Sequence, residues 1–327
     1  MIREIRSTLF QRFLQRRFGT GKRFTRAYIN YFEKAQAVNL RSARDWRRLD
    51  ATRRMWFDFA LSTNQRGNAL VRLLRDQQPM KGKRYLDIGC GFGGTLVAGS
   101  RSGAACTGIE IDPIRMDLAW ENLSDFHVAA PILKQDALDP DLPGRLGRFD
   151  FISLSDVVEH VLDARQLFRN LGLLLAPGGL LYVQIPNFES IEFVAADGHF
   201  GLFGITLLPR EDAIEYHRRR FQFDYDVGDY YSLDECSHLF EEARLHPQLI
   251  PSLHHPARAM TDLESLLATL AEARRRFTET DPALHEEIVN AYADYLQRLQ
   301  SDRTRLAESV FCNRYLRNFW TFLALPK

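Results

Sequence analysis

The sequence predicts an α/β fold whose core is a doubly wound, mostly parallel β-sheet. From residue 82 onward, short apolar runs alternate with helical stretches, turn signals separate them, and a glycine-rich turn follows the first apolar run. Such alternation is typical of βαβ units, in which helices cover both faces of a parallel sheet. Ligands of these sheets bind at the carboxyl ends of the strands, so the residues just after each strand are the candidates for function.

Length and composition indicate an ordinary globular protein. The chain has 327 residues, of which 45% are hydrophobic and 26% charged; at roughly 100–200 residues per domain, two domains or one domain with insertions are expected. No apolar run approaches the roughly 18 residues of a membrane-spanning helix, and the N-terminus lacks the apolar segment of a secretory signal. Four separated cysteines form no CxxC pair, so we expect reduced thiols in a cytoplasmic protein and no metal site.

The first 80 residues are predicted to be helical and basic. Arginines separate apolar residues that recur at helical spacing, namely Leu9, Phe10, Phe13, Leu14 and Phe18. Residues 1–54 contain 15 Lys and Arg against 4 Asp and Glu, and the remaining 273 residues contain 28 against 38. This basic arm either packs on the acidic body of its own chain or of a second subunit, or holds an anionic partner. Its amphipathic helix can lie on a membrane surface, although a docked core helix is the commoner case.

Strand and helix signals define the remaining elements. Predicted strands cover residues 84–88, 106–111, 127–133, 149–154, 180–185, 246–253 and 319–325. Predicted helices cover residues 62–75, 94–102 and 113–123, and further helices follow capping signals at Asp163, Ser232, Thr261 and Asp281. The last helix carries an apolar stripe of Leu284, Ile288, Tyr292, Tyr295 and Leu299. With the helix before it, it forms a late hairpin without a chemical motif, which suits core packing or a dimer contact.

A glycine-rich turn follows the first strand. Gly89, Gly91 and Gly94 fit the pattern G-x-G-x-x-G, in which glycines let the backbone turn sharply and approach a ligand closely. Glu110 ends the second strand about 20 residues later, as in dinucleotide-binding proteins. The glycines and Glu110 alone therefore do not choose between a dinucleotide and S-adenosylmethionine.

Asp87, two residues before the first glycine, discriminates between these ligands. A pyrophosphate on this turn would meet the carboxylate at close range, and like charges repel. S-adenosylmethionine has no phosphate and carries an ammonium and a sulfonium, both of which a carboxylate favours. Asp87 can also hydrogen-bond the turn backbone as a strand-end aspartate, and the two roles are compatible.

Five segments, in order, resemble the motifs of the class I S-adenosylmethionine-dependent methyltransferases. They are residues 85–93, 108–112, 134–137, 149–163 and 174–187, and the whole resemblance covers residues 82–187, 232–253 and 311–327. It implies a Rossmann-like sheet, mostly parallel with an antiparallel last strand, to which this chain adds N-terminal helices and a late helical hairpin. It also implies S-adenosyl-L-methionine as the cofactor.

The same resemblance implies the cofactor-binding residues. They are Asp87, Gly89, Cys90, Gly91, Gly93, Glu110, Ile111, Asp136, Ala137, Ser155 and Asp156. The family uses the position of Glu110 to hold the ribose hydroxyls and places the end of the third strand, at Asp136, beside adenine.

Residues 159–163, Glu-His-Val-Leu-Asp, most resemble the small-molecule branch that includes the ubiquinone-pathway methyltransferases. Other branches fit less well. Residues 155–158 are Ser-Asp-Val-Val, where exocyclic-amine methyltransferases carry Asn/Asp-Pro-Pro-aromatic. The region has no cysteine for a cytosine-C5 enzyme, and only Glu159 where an arginine-methylating enzyme would want two glutamates. An oxygen acceptor is therefore expected.

His160 is the first candidate for a general base, since imidazole titrates near neutrality and methylation of a hydroxyl must remove its proton. The alternative is a histidine that positions the loop or packs on the cofactor. His199 and His217 are rivals in residues 188–231, a connection longer than most and rich in aromatics and arginines. This segment is either a binding loop for an acceptor with apolar or sugar faces and an anionic group, or a helical lid whose aromatics are its core.

These segments give the expected organisation. Residues 1–80 form a basic helical region, 81–187 the cofactor-binding core, 188–231 an acceptor lid, 232–256 more of the core, 257–310 the helical hairpin insertion, and 311–327 the final core strand.

The expected activity is O-methylation of a small molecule, a saccharide or a lipid-linked intermediate by a cytoplasmic enzyme. Nucleic acid is not an expected partner, whereas a homo-oligomer and a peripheral membrane contact through the basic helix stay open. The alternatives are an RNA or protein methyltransferase that uses the basic arm, and a non-catalytic cofactor-binding scaffold. The presence of Asp87, Glu110 and Asp136 together argues against the scaffold.

Overall fold

The computed structural model describes residues 2–255 and 258–327, with side chains from residue 8 onward. The α-helices are α1 (Ile2–Phe18), α2 (Lys22–Ala35), α3 (Ala43–Arg47), α4 (Ala51–Leu61), α5 (Thr63–Gln77), α6 (Gly94–Arg101), α7 (Pro113–Asp125), α8 (Leu142–Leu146), α9 (Ala164–Leu174), α10 (Ile191–Ala195), α11 (Arg210–Arg218), α12 (Leu233–Glu242), α13 (Leu263–Arg276), α14 (Pro282–Arg305) and α15 (Glu308–Tyr315). The strands are β1 (Arg84–Ile88), β2 (Ala105–Glu110), β3 (Ile132–Lys134), β4 (Phe149–Ser155), β5 (Leu175–Pro186), β6 (Leu245–Ile250) and β7 (Phe319–Pro326). Short 3-10 turns occur at Val158–His160, Ile205–Leu207 and Met260–Asp262.

The strands of the described residues form a seven-stranded sheet in the order β3-β2-β1-β4-β5-β7-β6. The sheet is mostly parallel and antiparallel at its last strand, which confirms the predicted fold class. β1 runs parallel to β2 and β4, so Asp87 lies opposite Gly108 on one side and Ser153 on the other. Because the carboxyl ends of parallel strands share one edge, β1 and β2 bring the glycine-rich turn and Glu110 together.

The chain divides into two compact units. The first comprises Met1–Leu154, Arg169–Tyr182 and Ala324–Lys327, and it contains the N-terminal helices and the glycine-rich turn. The second comprises Ser155–Phe168 and Val183–Leu323, and it contains the loop after β4, the predicted lid and the late helical hairpin. The sequence-predicted site residues are therefore distributed over both units.

The N-terminal helices pack within the first unit, as the docked-helix alternative predicts. Their buried cluster includes Phe10, Leu14, Phe18, Phe24, Tyr28, Ile29, Phe32, Leu40, Trp46, Phe57 and Leu61. The carboxylate of Asp125 in α7 accepts hydrogen bonds from the backbone N–H groups of Arg23 and Phe24, at 3.0 and 2.9 Å, and so holds the first turn of α2. Among the described residues, no helix combines the length and the apolar character needed to cross a bilayer.

The third strand is shorter than predicted. It covers only Ile132–Lys134, because His127 adopts a positive φ of 54° just after α7 and Pro131 has no N–H to donate to a neighbouring strand. The apolar run that suggested an earlier start belongs to the connection between α7 and β3.

The capping signals of the helices are confirmed with one exception. Asp163, Ser232 and Asp281 each accept backbone N–H groups at the start of a helix. The signal at Thr261 is wrong: a 3-10 turn comes first, and Asp262 accepts the N–H of Ala259 at 2.8 Å. In α14, the stripe residues Leu284, Ile288, Tyr295 and Leu299 are buried, which supports the core interpretation of the hairpin.

Candidate functional site

The glycine-rich turn of the first unit contains three glycines with a left-handed backbone. Gly89, Gly91 and Gly93 have φ angles of 64°, 50° and 74°. At Gly93 space is limiting as well, because a Cβ there would lie 2.6 Å from Cδ1 of Leu123. A side chain at position 93 is therefore disfavoured by the left-handed backbone and would have to displace the side chain of Leu123.

The N-terminal helices hold this turn from outside the sheet. The N–H of Gly94 donates to the hydroxyl of Thr63 at 3.2 Å, and a Cβ on Gly94 would lie 2.2 Å from the carbonyl oxygen of Thr63. The ring of Phe92, within the turn, contacts Phe24 and Tyr28 at centroid distances of 5.9 and 5.5 Å. The basic helical region is thus part of the support of the turn.

Asp87 lies buried at the end of β1, with 6% of its surface exposed. Its carboxylate accepts hydrogen bonds from the hydroxyls of Ser153 and Thr95. The hydroxyl of Ser153 has one proton, which it donates to Asp87. In its 2.7 Å hydrogen bond with Tyr85, Ser153 is therefore the acceptor and the Tyr85 hydroxyl is the donor. Burial, with a smaller contribution from the charge of Glu110, raises the pKa of Asp87 to about 7, against the effect of the hydrogen bonds. A cationic group bound beside Asp87 would favour its charged form.

Glu110 joins the end of β2 to the glycine-rich turn. One carboxylate oxygen accepts the N–H groups of Ile111 and Asp112 at 2.8 and 3.1 Å, and the other accepts the N–H of Gly91 at 2.9 Å. A carboxylate has about four acceptor positions, so one remains for a ligand hydroxyl.

The other cofactor candidates of the first unit differ in exposure. Ile111 is 63% exposed, which is unusual for an isoleucine and leaves its side chain available to a ligand. Cys90 is buried, and burial raises the pKa of its thiol, so this residue contributes backbone and packing rather than a thiolate. After β3, Ala137 is buried and its carbonyl accepts from Asn170 at 2.7 Å, whereas Asp136 is exposed.

Ser155 and Asp156 follow β4 and belong to the second unit. Asp156 has a positive φ of 56°, and its N–H donates to the carbonyl of Gln184 in β5 at 3.2 Å. The side-chain amide of Gln184 donates back to the Asp156 carboxylate at 3.1 Å. These two bonds fix the start of the loop that contains Glu159 and His160.

Glu159, His160 and His199 converge in the second unit. Glu159 is 1% exposed, and its Oε1 lies 3.6 Å from Nε2 of His199 and 3.9 Å from Nε2 of His160. Neither oxygen of Glu159 has a hydrogen-bond partner among the described residues. The Nδ1 of His160 forms a 2.7 Å hydrogen bond with the carbonyl of Asp226. Two of the three candidate histidines are therefore neighbours of one buried carboxylate.

Asp197 shapes the loop that carries His199. Its buried carboxylate accepts the N–H groups of His199, Phe200 and Leu202 at 2.8, 3.0 and 2.7 Å. Burial lowers the pKa of His199, but the adjacent carboxylates of Glu159 and Asp197 outweigh it and raise that pKa to about 9. His199 therefore carries a proton at neutral pH when these carboxylates are its only partners.

His217 lies in a different environment, an aromatic cluster formed with Phe200, Phe221, Phe223 and Tyr225. Ring centroids of these residues lie 4.4 to 5.5 Å from that of His217, which is 1% exposed. Burial lowers the pKa of His217. These contacts favour the interpretation of residues 188–231 as a folded lid whose aromatics form its core.

Sequence reasoning missed several polar residues of these sites. Thr95 and Ser153 satisfy Asp87, and Asp197 holds the His199 loop. Glu159 was available in the same run as His160, and its position directly before the candidate base was the signal that could have identified it. Asp197 had no such local signal, because its role depends on backbone groups two to five residues later.

Solved structures of methyltransferases resemble the chain. An S-adenosylmethionine-dependent methyltransferase from Clostridium acetobutylicum aligns with a TM-score of 0.48 and 10% identity, over 81% of this chain and 92% of that protein. Magnesium protoporphyrin IX methyltransferase from Synechocystis aligns with a TM-score of 0.41 and 13% identity, over 63% and 83%.

Curated relatives share the central part of the sequence. Ubiquinone biosynthesis O-methyltransferase of Coxiella burnetii is 30% identical over 117 residues, which cover 36% of this chain and 49% of the relative. The protein of the same name from Caulobacter sp. is 33% identical over 125 residues, covering 37% and 49%. The chain thus spans about half the length of the curated relatives that it matches.

The family model described as a methyltransferase domain matches residues 63–246, more than half of the chain. The match includes the glycine-rich turn, Glu110, Asp136 and the run around His160. The chain therefore belongs to the methyltransferase domain family, among the class I S-adenosylmethionine-dependent methyltransferases.

Proposed function

We propose that the protein transfers a methyl group from S-adenosyl-L-methionine to an oxygen atom of a small-molecule acceptor. The observation that carries the proposal is the pair of buried carboxylates, Asp87 and Glu110, beside a left-handed glycine turn. This acidic lining suits a cofactor with an ammonium and a sulfonium and repels a pyrophosphate. The names of the curated relatives support oxygen as the acceptor atom.

The cofactor would be held mainly by groups that the structure orders already. Asp87 would pair with the ammonium, and Glu110 would accept a ribose hydroxyl with its remaining acceptor position. Asp136 and Ala137 would flank the adenine, and the exposed side chain of Ile111 would cover it. The remaining contributions come from the backbone of Gly89, Cys90, Gly91 and Gly93 and from Ser155 and Asp156.

Methyl transfer is an in-line displacement. A lone pair of the acceptor oxygen forms the new bond to the methyl carbon, the carbon–sulfur bond breaks, and its electron pair stays on sulfur to give S-adenosylhomocysteine. The hydroxyl proton must pass to a base. The protein therefore has to align the two reactants, exclude water and accept that proton.

His160 is the candidate base in this proposal. A carbonyl oxygen only accepts hydrogen bonds, so Nδ1 of His160 donates to Asp226 and the free lone pair resides on Nε2. His199 is a weaker candidate, since a pKa of about 9 keeps it protonated at neutral pH. His217 is the third candidate, and it differs from the other two in that aromatic side chains surround its ring.

The acceptor class is proposed from the lid. Its aromatic side chains contact one another, as shown by Phe200, Phe221 and Phe223 with centroid distances of 5.3 to 6.3 Å. A lid with its own core suits a compact acceptor, and a small molecule is accordingly favoured over a saccharide or a lipid-linked compound.

Calorimetry and a transfer assay test the proposal. Wild-type protein should bind S-adenosyl-L-methionine, and isotope-labelled methyl should appear on hydroxylated acceptors from a panel that also contains amines. His160→Gln should lower kcat at saturating acceptor. Absence of cofactor binding would overturn the cofactor assignment, labelled amines alone would overturn the oxygen assignment, and an unchanged kcat in His160→Gln would overturn the base.

A further inference from the structure

The group around Glu159 has the geometry of a metal-binding site. One ligand atom from each of Glu159, His160 and His199 lies within 4.8 Å of the other two. Oε1 of Glu159 lies 3.6 Å from Nε2 of His199 and 3.9 Å from Nε2 of His160. Ligands about 2.1 Å from a tetrahedral ion lie about 3.4 Å apart. The two separations between the carboxylate oxygen and the nitrogens, 3.6 and 3.9 Å, are close to that spacing, and side-chain rotation would bring the three ligand atoms to one ion.

The outer nitrogen of each imidazole faces an acceptor. Nδ1 of His160 donates to the carbonyl of Asp226 at 2.7 Å, and Nδ1 of His199 faces the carboxylate of Asp197 at 3.8 Å. Metal-binding histidines almost always direct their second nitrogen to a carbonyl or carboxylate, which fixes the ring and the tautomer. Both rings therefore direct Nε2 towards Glu159.

Glu159 supplies an independent observation. Its side chain is 1% exposed, and neither carboxylate oxygen has a hydrogen-bond partner among the described residues. A buried carboxylate without hydrogen bonds is costly unless a cation compensates it. Asp197, on the far side of His199, adds a second buried negative charge to the same neighbourhood.

We propose that Glu159, His160 and His199 bind a divalent transition-metal ion through two imidazole nitrogens and one carboxylate oxygen. Nitrogen donors of this type suit Zn²⁺, Fe²⁺, Co²⁺ or Mn²⁺ better than Mg²⁺ or Ca²⁺, which prefer oxygen ligands only. Three protein ligands leave coordination positions open. A bound ion would occupy the Nε2 lone pair of His160, so in the metal-loaded protein His160 would be a ligand and not the base. Use of an open position by an acceptor oxygen rests on the proposed function, whereas the ion site itself does not.

This inference departs from the expectation of no metal site. That expectation considered the cysteines, which form no ligand pair, and did not weigh the histidines. His199 lies in the lid segment, so its approach to Glu159 and His160 is a property of the fold of the second unit.

Metal binding can be measured directly on the full chain. Protein without a histidine tag, stripped with a chelator, would be titrated with Zn²⁺ by calorimetry and with Co²⁺ by visible absorption. We expect one Zn²⁺ per chain and a Co²⁺ d–d band of low-coordinate type. Glu159→Gln and His199→Asn should each weaken Zn²⁺ binding at least about tenfold. His246→Gln, which changes an exposed histidine, is the matched control and should bind as the wild type does.

The outcomes separate this proposal from the proposed function. Binding of S-adenosyl-L-methionine does not involve Glu159 or His199 in the proposed function and serves as the folding control for each variant. Two results would overturn the metal site: no stoichiometric Zn²⁺ binding in the wild type, or equal Zn²⁺ affinity in the wild type and the variants Glu159→Gln and His199→Asn. The cluster would then be a histidine–carboxylate ion pair. Failure of the cofactor to bind the wild type would instead overturn the proposed function and leave the metal result standing.

Discussion

Buried carboxylates occur in both units, and they differ in what satisfies them. In the first unit, Glu110 accepts three backbone N–H groups and Asp87 accepts two hydroxyls. In the second unit, Glu159 is equally buried, yet its carboxylate has no hydrogen-bond partner among the described residues and lies at ion-pair distance from two imidazoles. The first arrangement is complete in itself and offers a shaped surface to a ligand, whereas the second leaves a buried charge whose compensation depends on an ion or a proton.

The largest effect should come from the backbone geometry of the first site. Gly94→Val should lower the free energy of unfolding by about 4 kcal/mol or more, because its Cβ would overlap the carbonyl of Thr63. Urea unfolding followed by circular dichroism measures the change. Gly144→Val is the matched control, since the space around Gly144 is open. A similar loss in both variants would show that the close approach of α5 and the turn is unimportant.

Titration of Asp87 should make the stability of the cofactor-free protein depend on pH. Its pKa is about 7 in the folded state against 3.8 ordinarily, so between these values the folded protein holds a proton that the unfolded chain has released. The contribution of Asp87 to stability therefore falls as pH rises, by up to about 3 kcal/mol between about pH 5 and about pH 8.

The Asp87→Asn variant isolates this contribution. The stability of the wild type minus that of the variant, from urea unfolding at each pH, should decrease as pH rises towards 7 and then become constant. A difference that stays constant throughout would mean that Asp87 does not carry the proton.

Cofactor affinity should depend strongly on Asp87 in the first unit and only weakly on Glu159 in the second. Asp87→Asn should weaken binding of S-adenosyl-L-methionine about 10- to 100-fold, as expected for loss of a bond to a charged group. Asp141→Asn, at an exposed aspartate, is the control. Glu159→Gln should change the affinity less than about threefold by the same arithmetic. Calorimetry gives the cofactor affinities of the wild type and the three variants. A large effect of Glu159→Gln would show that cofactor binding depends on Glu159 as well.

The smallest effect concerns the support of the turn by the N-terminal helices. Thr63→Val keeps the shape of the side chain but removes the acceptor of the Gly94 N–H, and it should cost about 1 to 2 kcal/mol of stability. Thr63→Ser retains the hydroxyl and should restore most of that loss. Equal stability of Thr63→Val and the wild type in urea unfolding would show that the bond contributes nothing.

The two sites also differ in how far the sequence predicts them. Asp87, the glycines and Glu110 depend on contacts between neighbouring strands, so a strand–turn–helix pattern and the spacing to Glu110 were enough to place them. His199 reaches Glu159 through an irregular connection, and no periodic pattern records that approach. The sequence identified both His160 and His199 as candidates and places Glu159 directly before His160, but the approach of His199 to that carboxylate emerges only from the fold.

His217 and His127 are two further residues whose surroundings the sequence did not predict. His217 has the residue type of a base, but the aromatic rings around it belong to residues 200–225 and are brought together by the turn after α11. The apolar residues after His127 resemble a strand, yet its left-handed backbone and Pro131 keep them out of the sheet. Backbone conformation and long-range packing determine both outcomes, and neither is encoded in residue type alone.

The turn at Asp197 has a consequence for engineering. One carboxylate accepts three backbone N–H groups, those of His199, Phe200 and Leu202, and Gly201 between them has a left-handed backbone. A combinatorial library in this segment should therefore keep Asp197 and Gly201 for the backbone, and His199 and Phe200 for their contacts with Glu159 and the aromatic cluster. Directed evolution of the remaining positions could then alter substrate preference while the turn at Asp197 keeps its backbone hydrogen bonds.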